Sequence, residues 1–199
     1  MPVPLGANGQ ADFTQPIELM KDCHRRIEHF LEVLCKVVDR YGTCGLDDEG
    51  RGALDTALNY FRQAAPRHTA DEERSLFPRM RNSDDPEVRA AMTELDRLEA
   101  DHRQAQIAHD RVDRIGRDWL DTGRLDRGAR TELSVLLREL TSTYVEHIRL
   151  EDETVFVLAS RALDAQSLAE VGREMQRRRI EAPGRSGSRC AQRRLRLSL

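Results

Sequence analysis

Apolar residues recur every three or four positions along four long stretches of the chain, the spacing of amphipathic helices. The first stripe is Met20, Ile27, Leu31, Leu34 and Val38, with His24 lying on it. It predicts a helix from Pro16, suited to a first turn, to about Tyr41, where Gly42 stops it. The second helix starts near Leu46–Arg51 and carries Leu54, Leu58, Phe61, Ala65, His68 and Glu72. Pro66 should kink it, and Pro78 with the following NSDDP turn should end it. The third has Asp84 or Asp85 as cap, Pro86 in its first turn, and the stripe Leu95, Leu98, His102, Ala105, His109 and Val112. It ends near Trp119–Gly123. Asp126 caps the fourth, which shows Leu133, Leu137, Leu140, Tyr144, His147, Glu151, Val155 and Leu158.

Four such helices with short connections predict an all-α, up-down-up-down four-helix bundle. The expected organisation is a flexible lead over 1–14, a bundle domain over 15–163, and a short helix at 164–180 followed by an Arg-rich, disordered tail to 199. Composition fits one core with long solvated faces: 39% hydrophobic, 34% charged. No apolar run is long enough to span a bilayer, and the N-terminus reads as no signal peptide, so the expected compartment is the cytoplasm. The four cysteines lack CxxC spacing, which argues against a zinc ribbon or disulfide framework. The net charge of −3 divides into +7 from Arg173 onward and −10 before it. The basic tail has no interleaved aromatics, so a solvated tail is favoured over a nucleic-acid binder.

The chemistry lies in a repeat. His24 and His102 are 78 residues apart, and His68 and His147 are 79 apart. HTADEERSLF at 68–77 reads against HIRLEDETVF at 147–156, so Glu72 and Glu151 each follow a histidine by four positions, on one helix face. The chain therefore reads as two copies of a helix hairpin, neither able to bury its histidine face alone. Packed together they put four imidazoles and two carboxylates in one core layer. Burying these without partners would cost several kcal/mol per charged group (roughly). Coordination removes that cost, and imidazole with carboxylate and no thiolate suits iron, manganese or zinc.

The order His, HisxxxGlu, His, HisxxxGlu, with the Glu-Glu-x-x-Leu-Phe-Pro run at Glu72–Pro78, resembles the hemerythrin-like HHE cation-binding family over roughly 16–162. The resemblance implies two non-haem iron ions, oxo- or hydroxo-bridged, with His24, His68, Glu72, His102, His147 and Glu151 as ligands. It implies a small diatomic or peroxide ligand (O2, NO or peroxide) and a role in oxidative or nitrosative stress or iron homeostasis. Rival readings are a metal-responsive binding module and a peroxide-decomposing enzyme. Oxygen carriers of the family have a further histidine four positions after the first one of the third helix, where this chain has Gln106. Their fourth helix uses an aspartate at the spacing of Asp152. Asp152, His109, Tyr144 and Glu28 are candidate additional or outer residues; Glu73 is expected to be outer or exposed, and His29 to lie on the surface.

Overall fold

The computed structural model describes residues 11–180. The lead up to residue 10 and the Arg-rich stretch after Ile180 lie outside the described residues. Every regular element among those described is helical, as the periodicity predicts. α1 is Pro16–Tyr41. α2 (Asp48–Gln63) and α3 (Ala65–Asp71) form the second stretch, which passes through a π-helical turn at Glu72–Leu76 into α4 (Phe77–Arg81). A short α5 (Pro86–Ala90) precedes α6 (Met92–Thr122). α7 (Arg127–Leu150) passes through a second π turn at Glu151–Val155 into α8 (Phe156–Ala162), and α9 (Ala165–Ile180) follows. α1 packs against α2 and α7, and α6 packs against the same two, which closes a four-helix bundle with sequence neighbours side by side.

The boundaries follow from local chemistry. The side chains of Asp47, Asp85 and Asp126 accept backbone N–H bonds from Gly50, from Glu87 and Val88, and from Ala129, which satisfies first-turn donors. Gly123, at φ 71°, closes α6 in the left-handed region open to glycine. Pro66 lacks an N–H, so α2 stops at Gln63 and α3 starts afresh with the proline in its first turn. Two expectations need correction. Pro78 does not end the second stretch: it falls in the first turn of α4, where no N–H is required, and the helix runs on to Arg81. And Asp85–Pro86 opens only α5; Ala91, at φ −92° and ψ 13°, leaves the helical basin before the long helix begins at Met92.

The core is divided in two. One apolar cluster runs from Ile27 to Tyr41 on α1, with Leu54, Leu58, Val112, Trp119, Leu133 and Leu137. The other gathers Met20, Leu76, Phe77, Met80, Leu95, Leu98, Val155 and Phe156, and α9 adds Val171 and Met175 to it. The four repeated histidines lie at the seam. His24 separates Met20 from Ile27, and His102 separates Leu98 from Ala105. Among the described residues no helix is long and apolar enough to cross a membrane.

Candidate metal centre

His24 on α1, His68 on α3, His102 on α6 and His147 on α7 project into one layer, joined by Glu72 and Glu151 at the starts of the two π turns. Glu72 and Glu151 are fully buried, and His24, His68 and His147 nearly so. In each π turn the backbone N–H five residues on, of Phe77 or Phe156, reaches the carbonyl of the glutamate. The proline after the first turn is not its cause, because the second copy has Val157 there and makes the same turn.

The imidazoles pair off. His24 and His68 ring centroids are 4.8 Å apart, and those of His102 and His147 are 4.6 Å apart. Glu72 reaches both pairs: Oε1 lies 3.1 Å from His68 Nε2 and 3.8 Å from His24 Nε2, while Oε2 lies 3.4 Å from His102 Nε2. Glu151 Oε2 does likewise, 3.0 Å from His24 Nε2 and 3.4 Å from His147 Nε2. These approaches lack hydrogen-bond alignment: all four carboxylate oxygens and His24 Nε2 are buried without a hydrogen-bond partner. Unpartnered lone pairs facing a common centre from a carboxylate–imidazole set are what a divalent cation requires, so the residues fit one.

The layer is electrostatically unbalanced without such a cation. Burial and the adjacent Glu151 push Glu72 up to about 7. Burial also opposes the charge on Glu151, but His147 and His24 outweigh it and hold Glu151 below the usual carboxylate value. Burial opposes charge on His24, yet Asp152, Glu151 and Glu72 hold it well above the imidazole norm. His68, pressed by burial and by His24, is driven well below it.

A second set of carboxylates stands behind the rings. Asp152 Oδ1 is 2.9 Å from His24 Nδ1, and Glu73 Oε1 is 3.0 Å from His102 Nδ1. Asp101 Oδ2 lies 3.6 Å from His147 Nδ1, an ion-pair distance. Asp152 thus faces the outer nitrogen of His24. Asp101 is the member that sequence reasoning missed; its signal was its place directly before His102. Tyr144 and His109 form their own pair, with the phenol oxygen 3.0 Å from His109 Nε2, and the His109 ring stacks on Phe61 at 4.4 Å. Burial pushes His109 down to about 4, and burial together with Glu72 and Glu151 pushes the Tyr144 phenol up. Gln106 is exposed and donates to Asp110. Glu28, a candidate outer residue, is instead a solvated charge: it is exposed and outside the layer. His24 already sits at the edge of its stripe, and a residue four further on turns roughly 40° more, into solvent. His29 is exposed too.

The family model for the hemerythrin HHE cation binding domain matches residues 15–159, which takes in all six residues of the layer. An uncharacterized protein of Haemophilus influenzae is 28% identical over 173 residues, covering 85% of this chain and 92% of its own length.

Proposed function

The chain belongs to the hemerythrin HHE cation-binding domain family, and from that membership we propose that it holds two non-haem iron ions and binds dioxygen, nitric oxide or peroxide at them. The observation that carries this reading is the set of four unpartnered carboxylate oxygens buried among four imidazoles. His24 and His68 would hold one ion and His102 and His147 the other, with Glu72 and Glu151 within reach of both pairs of imidazoles. A nitrogen–oxygen donor set without thiolate favours iron, with manganese and zinc as competitors. When bound, the ions supply open coordination positions and a change of oxidation state.

The chain's own residues do the rest. Asp152 and Glu73 hydrogen-bond to the outer ring nitrogens of His24 and His102, which fixes the tautomer and turns each Nε2 inward, and Asp101 stands at ion-pair distance behind the outer nitrogen of His147. The two apolar clusters exclude bulk water from either side of the layer. A groove of about 210 Å³, lined by Phe61, Pro66, Gln106 and His109, ends one hydrogen bond from Tyr144 and offers a small ligand an approach. Gln106 faces solvent, donates to Asp110, and is not among the residues that would hold the ions. That favours sensing or reaction over simple reversible carriage, and so a role in oxidative or nitrosative stress or in iron handling.

Iron reconstitution under argon, followed by near-ultraviolet and visible spectra with O2, NO and peroxide added separately, tests this. At least one ligand should produce a new band that Glu72→Ala abolishes. Iron-loaded protein with spectra indifferent to all three would contradict it.

A further inference from the structure

We propose that the two metal positions are unequal, and that the one at His24 and His68 gives up its ion first because, among the described residues, none places a carboxylate behind the His68 ring as one stands behind each of the other three. The inference rests on the two-ion reading above. Asp152 backs His24, Glu73 backs His102 and Asp101 stands behind His147. Among the described residues, buried His68 Nδ1 has no hydrogen-bond partner.

The duplication shows where the fourth carboxylate would be. Glu73 and Asp152 are 79 positions apart and do the same work in the two halves, each bracing the histidine of a neighbouring helix. Asp101 directly precedes His102 and serves His147. Its counterpart directly precedes His24, 78 positions earlier, and is Cys23. Cys23 is buried, its thiol approached by the Arg26 guanidinium at 3.4 Å, and it carries no carboxylate to offer. One half of the molecule therefore has both braces and the other has one.

A carboxylate on Nδ1–H keeps the inner nitrogen unprotonated and raises its donor strength. Losing such a partner typically costs about 10–100-fold in metal affinity. One geometric fact pulls the other way. Around the first position His24, His68, Glu72 and Glu151 all offer atoms within 4.8 Å of one another, while His102 and His147 gather as closely only with Glu151. Side-chain spacing within a donor set adjusts when an ion arrives, but no such adjustment gives His68 a carboxylate. The bracing difference therefore decides the order. Asp101, Glu73 and Asp152 are positioning residues, acting on the metals through the imidazoles.

Cobalt(II) loaded to saturation and withdrawn by a graded chelator tests the order, with the visible band and total cobalt as readouts. The parent protein should release two ions in two steps separated by about 10–100-fold. Asp101→Ala leaves His147 as bare as His68; it should weaken the tighter step by that factor and merge the two, with helicity unchanged. Asp101→Glu should restore the separation, and Cys23→Asp, if it folds, should strengthen the weaker step. Release of both ions in one step by the parent, or an unchanged separation in Asp101→Ala, would overturn the inference while leaving two-ion binding intact. Fewer than two cobalt ions per chain would overturn the two-ion reading, and the inference with it.

Discussion

At the scale of single residues, the layer is a set of groups whose charges are set against one another. His24 and His102 are raised above 6.5, burial being outweighed by Asp152 and Glu73 respectively among other carboxylates, and Glu72 is raised from 4.5 to about 7. A raised folded-state pKa gives stability below the unfolded value that is lost as pH climbs through the folded one. His68 and His109 are lowered, chiefly by burial, so their contribution is present above 6.5 and lost as pH falls, through about 4 for His109. Metal-free protein should therefore be most stable near neutrality. Its alkaline limb should shrink when metal replaces the protons. Thermal melts from pH 5 to 9, with and without metal, check this; an alkaline limb identical in both forms would count against the layer as the binding site. The six central residues were readable in the sequence because order, spacing and duplication agreed. The outer carboxylates were harder to read, because nothing in spacing says which way Glu73, Asp101 or Asp152 turns.

At the scale of elements, the π turns are the main departure from the sequence reading. A 3.6-residue period makes Glu72 and Glu151 part of unbroken helices. The signal for the turns is nonetheless present. His68, Glu72, Leu76 and Met80 are spaced by four, as are His147, Glu151, Val155 and Ala159, and all eight are buried. Three steps of four carry an α-helix roughly 120° off its starting face, and one extra residue in a wider turn returns about 100° of that. α9 lies where a short helix is expected at 164–180, but its packing escapes helix-by-helix reading, since its partners lie about a hundred residues away. Asp71, fully buried beside Glu72, gives one oxygen to Arg178 and the other to Arg179, each at 2.7 Å. Glu174 meets Arg79 at 3.0 Å and accepts from Ser75 inside the first π turn. Two arginines at the end of α9 thus clamp that turn. Replacing both with alanine strands a buried carboxylate and should cost about 3–5 kcal/mol. Adding Asp71→Leu should recover much of it, since Leu150 holds the equivalent place in the second copy. Urea melts of the double and triple variants decide; equal losses would mean that the buried charge is not the cause.

At the scale of the whole molecule, two apolar clusters make the bundle and a polar layer between them makes the site. The fold was readable because the stripes, the Asp126 cap and the closing Gly123 pointed to the same four helices, although the Asp85 cap opens only a short separate helix. The layer's purpose follows from its cost: six polar side chains at the seam of a bundle weaken the fold unless something fills the space between them. Metal content of purified, reconstituted protein, measured beside Glu72→Ala and Glu151→Ala, is the most direct check. The account predicts two iron ions per chain in the parent protein and loss of at least one in each variant. A parent chain that retains well under one ion, or variants that retain both, would contradict it.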